Sequence, residues 1–386
     1  MKTSPRIAIV HEYLTRMGGA EKVAKVLSDL FPSARIFTLL YDEKNCGKFF
    51  PPWKVETSAL QNFPKFLRRR PKFLLPFIRT AVERWDFRDY DLVISSSSAF
   101  AHGIVTPLHT RNICYCHSPA RFLWDYSQEY LQENKITGIK KLFVNSLLKD
   151  LRIWNQLSAK RVDRFLANSA TVQKRIQKYY RTTAEVVHPP VEVSKIRMSG
   201  HHENYFLIVS QLTNYKRIDL AISVFNKLRR RLVVVGDGPQ RDFLESISGD
   251  TIEFLGWRSD AEIAELLKNC RGFIFPGEDD FGIAPVEAMA AGKPVLAFGR
   301  GGATETVIPK QTGILFYSQT PESLEAGLAE LFANEKKFQP AKIRAHAKKF
   351  AREEFENKIQ KVVAEEWKVE SRSLDCHQLK LPPPAR

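Results

Sequence analysis

The feature that most constrains this chain is an alternation. Twelve short apolar runs recur along it, separated by longer amphipathic segments. In the first half they are RIAIV, ARIFTLL, DLVISS, NICYCH, RFLANS and AEVVH; in the second, YFLIVSQL, RRLVVVG, TIEFLG, GFIFPG, KPVLAF and GILFY. Runs this apolar belong to strands buried on both faces, as parallel strands are. Segments such as AEKVAKVLSDLF and AEIAELLKNC carry helical spacing between them. The pattern predicts α/β units with parallel sheets.

Twelve strands are many for one such sheet, and 386 residues suit two domains. The break falls at HPPVEVSKIRMSGHHENY, where Pro189-Pro190 and a polar stretch precede a fresh strand. The predicted organisation is an amino-terminal Rossmann-like domain over 1–195, a second over 196–350, a terminal helix over 351–370 packing back on the first domain, and a disordered tail over 371–386.

Charge separates the halves. Residues 1–195 hold 32 Lys and Arg against 17 Asp and Glu, whereas residues 196–386 hold 27 against 26. An excess confined to one half points to an anionic partner for that half. Much of it lies in FPKFLRRRPKFLLPFIRT, where six basic residues, among them Arg68, Arg69, Arg70 and Lys72, alternate with Phe and Leu and no acid intervenes. That composition suits a surface dipping into an anionic leaflet, although three prolines forbid one long helix. No recognised nucleic-acid module accompanies it, so a nucleic-acid partner is not expected. No apolar run is long enough to span a bilayer, and the first residues read as a core strand, not a leader. The five scattered cysteines fit buried thiols in a reducing cytoplasm; Cys114 and Cys116 share one face of a strand.

In doubly wound sheets ligands sit beyond the carboxyl ends of the strands, and several residues with chemistry fall there. Gly18-Gly19 follows the first strand and opens a helix. His117 ends a strand in YCHSPARFLWD, followed by Arg121. Lys216 and Arg217 follow the first strand of the second half, where cations could neutralise a diphosphate. Gly236 and Gly238 turn at another strand end, and Trp257-Arg258 at the next. In EDDFGIAPVEAMAAGKPV, an acid cluster and Phe281-Gly282-Ile283 lead into a helix whose amides favour phosphate. Glu287 is placed in that helix's first turn, where it either accepts from ribose hydroxyls or answers the helix dipole. The cluster Glu278-Asp279-Asp280 also admits a metal reading.

Taken together these motifs resemble glycosyltransferase family 4, the retaining sugar-nucleotide transferases of GT-B fold. GGAEKV, CHSPARFLWD, the strand before Lys216, GDGP, FLGW, the acid-to-Glu287 spacing and Gly301-Gly302 occur in the family's order over about residues 5–365. HEYL, DLVISSSSA and YKRIDLAI look closest to bacterial mannosyltransferase-like members. The resemblance implies two Rossmann-like domains facing a central cleft, with Gly18 and Gly19 near donor phosphate or acceptor. It places His117 near the transferred sugar, Lys216 on the diphosphate, Asp279 on sugar hydroxyls beside the Phe281–Ile283 backbone, and Glu287 on the ribose. It implies front-face displacement with fixed cations in place of a metal. The donor is expected to be GDP-mannose, with UDP-sugars the alternative; the acceptor is a glycan or a lipid-linked one at the inner face of the plasma membrane. Another alternative is a non-catalytic binding protein for sugar nucleotides or nucleic acid.

Two positions depart from the family pattern. Asp279 stands where Glu is usual, with Glu278 just before it. Gln211 stands where an Arg is usual, which removes a positive charge beside the diphosphate.

Overall fold

A computed structural model describes residues 4–376, with side chains as far as residue 368. The chain divides into two compact units. One comprises the residues up to Val187 together with the terminal helix from Glu356 onward; the other is His188–Phe355.

The first unit is built on seven strands: β1 (Ile7–Leu14), β2 (Arg35–Tyr41), β3 (Val55–Thr57), β4 (Leu92–Ser97), β5 (Arg111–Cys116), β6 (Arg164–Ala167) and β7 (Glu185–Val186). Their order is β3-β2-β1-β4-β5-β6-β7, and every pairing is parallel. The chain winds outward from β1 in one direction and from β4 in the other, so the order reverses between these two strands. β3 was not anticipated. It is a three-residue edge strand with a Glu at its centre, too short and too exposed to show an apolar run. β1 runs four residues past the apolar RIAIV, through His11 and Glu12, because both side chains are buried and satisfied there.

The second unit holds β8 (Tyr205–Val209), β9 (Arg231–Val235), β10 (Ile252–Gly256), β11 (Gly272–Phe275), β12 (Val295–Phe298) and β13 (Gly313–Phe316). Their order is β10-β9-β8-β11-β12-β13, again parallel and reversing between β8 and β11. Helices flank each sheet, and their starts are written locally. Ser259 and Glu262 form a capping box on Asp260–Asn269. Ser169 accepts from Val172 N–H at the head of Ala170–Tyr179. Thr320 caps Pro321–Ala333, with Pro at its first turn.

The terminal helix is Arg352–Cys376, longer than the expected 351–370. Residues 371–376, expected in the tail, are therefore helical, and 377–386 lie outside the described residues. Ile359, Val362, Val363 and Glu366 are buried, which is one helical stripe. Glu366 accepts from Arg111 at 2.8 Å, and Glu365 from Arg164 at 2.6 Å, so the helix is tied to the starts of β5 and β6. Cys46, Cys114, Cys116 and Cys270 are buried free thiols, and Cys114 and Cys116 pack in one cluster with Phe165, Val172 and Ile176.

Candidate active site

Ligands of doubly wound sheets gather where the strand order reverses. In the first unit that place is the carboxyl end of β1 and β4. Parallel register pairs His11 with Ser96, so the two side chains share a face. Their side chains bond directly, His11 Nδ1 to Ser96 Oγ at 3.1 Å. The same hydroxyl lies 2.8 Å from Nε2 of His117, one residue past β5. On its other side His11 Nε2 faces Glu21 Oε1 at 3.9 Å. Glu21 Oε2 accepts from Gly18 N–H at 2.9 Å, so the carboxylate that caps helix Gly19–Leu30 also faces His11.

Next to His11, the buried Glu12 carboxylate accepts from the backbone N–H of Ser98, Ala99, Phe100 and Ala101 and from the Ser97 hydroxyl, at 2.8–3.1 Å. Burial opposes its ionisation. The charge on His11 and the amides of Ala101, Ser98 and Phe100 outweigh that and hold its pKa below the usual value. Burial also opposes the charge on His11, but Glu21 and Glu12 raise its pKa above the ordinary imidazole value. His117 goes the other way. Burial, and then the neighbouring His11 charge, push it down to about 4.

His102 belongs to the core. Its Nδ1 meets Ser97 Oγ at 3.1 Å, its Nε2 meets Ser158 Oγ at 3.2 Å, and burial lowers it to about 4. Asn168 holds the carbonyl of His117 at 2.8 Å. Arg121 lies 3.7 Å from Asp125, which also faces Arg175 at 3.4 Å. Arg68 is half-buried, while Arg69, Arg70 and Lys72 are exposed.

In the second unit the reversal brings together the loops after β8 and β11. Lys216 Nζ bonds the Asp279 carboxylate, with the two side chains 13% and 19% exposed. Glycines allow the loops to approach. A Cβ on Gly277 would sit 2.6 Å from Lys216 Cα, and one on Gly302 would sit 2.2 Å from Phe281 Cα. Gly302 N–H also donates to the Asp279 carbonyl at 2.8 Å. Gly236 and Gly238 do a related job. Cβ atoms there would meet the carbonyls of Ser210 and Leu212 at 1.8 and 2.3 Å, so both glycines admit the neighbouring loop's backbone.

Helix Ile283–Ala290 starts after Gly282, whose φ of +85° is left-handed. The helix is buried except for Ile283, Ala284 and Glu287, one stripe at i, i+1 and i+4. Glu287 is the fifth residue of this helix and not in its first turn, so a dipole role, which fades beyond the first turn, does not account for it. Glu278, Asp279 and Asp280 are all half-buried, and Phe281 is buried. Among the described residues no group of three or more His, Cys, Asp or Glu is arranged as a metal-binding set. Arg217 takes a left-handed backbone, φ 50°, and its guanidinium reaches Asp219 at 3.3 Å. Gln211 is exposed, with no side-chain partner among the described residues. Trp257 is 74% exposed at the end of the edge strand β10, and Arg258 bonds its carbonyl at 3.0 Å.

Sequence reasoning missed His11, Glu12 and Glu21. Their signal is faint: polar residues inside strands that must otherwise be apolar, and a Glu three residues after a helix-opening Gly.

The family model described as Glycosyltransferase Family 4 matches residues 17–195, and that described as Glycosyl transferases group 1 matches residues 193–354. An uncharacterised glycosyltransferase of Methanocaldococcus jannaschii is 27% identical over 45% of this chain and 50% of its own, so the chain spans about half the length of that relative. The alpha-1,3/1,6-mannosyltransferase ALG2 of Dictyostelium discoideum is 23% identical over 80% of this chain and 85% of its own. A GDP-mannose-dependent alpha-mannosyltransferase of Mycobacterium tuberculosis is 34% identical over 32% of this chain and 33% of its own.

Among solved structures, the Anabaena protein HepE in complex with UDP and glucose superposes with a TM-score of 0.67 at 17% identity, covering 92% of this chain and 99% of its own. Sucrose-phosphate synthase from Thermosynechococcus elongatus gives 0.71 at 15% identity, covering 93% and 99%. With two Rossmann-like parallel sheets, the architecture is GT-B. Between them the two family models take in residues 17–354, and the chain belongs to the glycosyltransferases, with family 4 matching its amino-terminal part and group 1 its carboxy-terminal part.

Proposed function

We propose that the chain is a retaining glycosyltransferase that moves mannose from GDP-mannose to a glycan or lipid-linked acceptor, in the assembly of a bacterial surface polysaccharide or glycolipid. The observation that carries this reading is the Lys216–Asp279 pair at the β8/β11 reversal, beside the first turn of helix Ile283–Ala290. A diphosphate arriving there competes with Asp279 for the Lys216 amine and meets amides at the helix start. Asp279 is then free to take sugar hydroxyls, and Glu287, on the half-buried stripe, takes the ribose. Trp257 and Arg258 edge the base. The mannosyltransferase relatives support mannose as the transferred sugar.

In this reading the leaving diphosphate departs with the bonding electrons, the acceptor hydroxyl attacks the same face of the oxocarbenium-like sugar, and the departing phosphate takes the hydroxyl proton. Lys216, Arg217 and the helix amides stabilise the growing charge, which fixed dipoles and cations do without reorganising. No metal is required. GDP release from GDP-mannose, with membrane lipid extract as acceptor source, tests the reading. Turnover that survives EDTA, with the anomeric configuration kept, supports it; release from UDP-sugars alone, or dependence on added magnesium, contradicts it.

The acceptor side has its own surface. Phe66, Phe73 and Phe77 are 68%, 50% and 47% exposed, and Ile139, Leu142 and Phe143 at the head of helix Gly138–Ala159 are 70–74% exposed. Lys72 reaches Asn134 at 3.4 Å, which brings the two segments side by side. Exposed Lys65, Arg69, Arg70, Lys140 and Lys141 are interleaved with the apolar side chains in sequence. Apolar side chains interleaved with cations suit an anionic leaflet, and among the described residues no helix is long and apolar enough to cross a membrane. Co-sedimentation with anionic vesicles that is lost at high salt is the expected result.

A further inference from the structure

The histidine read as lying beside the transferred sugar is wired to a second, buried histidine through one hydroxyl. Ser96 Oγ contacts His11 Nδ1 at 3.1 Å and His117 Nε2 at 2.8 Å. A hydroxyl has one proton and donates to one of the two rings only. His117 Nδ1 has no partner among the described residues and is left for a ligand. We propose that His11 and Ser96 are positioning residues that decide whether His117 presents a hydrogen-bond donor or an acceptor at Nδ1. This rests on the reading that His117 faces the sugar.

The bond pattern follows from counting protons. When His11 is charged, its Nδ1–H donates to Ser96 and its Nε2–H faces Glu21. The Ser96 proton then goes to His117 Nε2. A neutral His117 must carry its own proton on Nδ1, and offers N–H to a sugar hydroxyl or a departing phosphate oxygen. When His11 is neutral, the Glu21 carboxylate keeps the remaining proton on the Nε2 side. Nδ1 of His11 then accepts from Ser96, and His117 Nε2 must donate to Ser96. Its Nδ1 turns into an acceptor.

The groups facing His11 set which state prevails. Glu21 approaches from helix Gly19–Leu30, Glu12 is its neighbour on β1, and His117 lies across Ser96. Arg16 and Cys46 act further out, through Glu21. Two carboxylates against one neutral ring favour the charged form of His11 and outweigh its burial. Burial of His117 keeps that second ring from charging as well.

The test is the 15N spectrum of the full-length chain labelled with 15N-histidine, since protonated and unprotonated ring nitrogens differ widely in shift. Signals are assigned with His117→Gln and His11→Gln. At pH 7 His117 is expected as the Nδ1–H form. It converts to the Nε2–H form as His11 loses its proton. Glu21→Gln, which can still accept from Gly18 N–H, moves that conversion to lower pH. Ser96→Ala uncouples the two rings, so His117 no longer changes form with His11. His117 in the Nε2–H form at pH 7, or a form indifferent to His11 in the folded wild type, overturns the proposal. If instead the coupling is seen but no GDP is released from GDP-mannose, the relay stands and the sugar reading falls.

Discussion

The two strand-order reversals of this protein are organised by opposite means. At β1/β4 the organising groups are buried and polar: Glu12 gathers four amides and a hydroxyl, and His11, Ser96 and His117 share one proton chain. At β8/β11 the organising residues are glycines that let backbone touch backbone, and the charged pair Lys216–Asp279 is held in that frame with its side chains 13% and 19% exposed. One half is held rigid by satisfied hydrogen bonds, whose loss is costly in a low-dielectric interior. The other is held by shape, leaving its charges free to change partner. That is the division expected if one half positions a sugar and the other receives a charged leaving group.

The largest expected effect breaks the charged side. Lys216→Ala lowers turnover about 10²–10³-fold, the range for removing one preorganised stabiliser of transition-state charge. Its stability cost is expected to fall between the ~1 kcal/mol of an exposed pair and the ~3 kcal/mol of breaking a buried one, because the pair is only partly exposed. Parallel activity and urea-unfolding measurements check this; a stability loss large enough to explain the lost turnover would place Lys216 in the frame.

Glycine substitutions sharpen the contrast. Gly236→Ala must place a Cβ 1.8 Å from a carbonyl at φ +130°, and is expected to destabilise by about 2–3 kcal/mol or more. Gly18→Ala meets only the far end of the flexible Glu21 side chain, at an ordinary φ, and is expected to cost about 0.5 kcal/mol. Equal losses at the two positions would erase the distinction between a shape-built and a hydrogen-bond-built half.

Acid pH probes the buried half. His102, lowered to about 4, stays neutral in the folded chain while the unfolded chain binds a proton near pH 6.5. Stability is therefore flat above that value and falls as pH drops from about 6.5 to about 4, by about 1.4 kcal/mol per pH unit. His117 acts in the same direction. His11, raised, opposes them: its contribution is present at acid pH and is lost as pH rises through its folded value. Urea unfolding between pH 4 and 7 should show a shallower fall in His102→Gln than in wild type, and an unchanged fall would contradict the assignment.

Much of this was legible in the sequence, and the unreadable parts share a cause. Among the described residues twelve of the thirteen strands fall in apolar runs, and all of these but β7 and β10 are largely buried, as parallel strands are. β3 is an edge of three residues and has no run to show. Lys216, Asp279 and His117 follow strand ends, so topology alone singles them out. His11 does not, and its meeting with Ser96 depends on the register between β1 and β4, strands separated in sequence by β2 and β3. Gly236 and Gly238 read in the sequence as a turn open to a ligand; what crowds them is the loop at Ser210 and Leu212, which no local pattern reveals. The turn assigned to Glu287 was one too early, because Pro285 reads as a helix start although the helix begins at Ile283.

The proposed function requires that the carboxy-terminal unit hold a guanosine diphosphate through Lys216 without a metal. Isothermal titration calorimetry of the full chain with GDP, UDP and ADP, each with and without EDTA, tests it most directly. GDP is expected to bind most tightly, with an affinity that EDTA leaves unchanged and that Lys216→Ala weakens at least tenfold. Tighter binding of UDP, or GDP binding that disappears with EDTA, would contradict it.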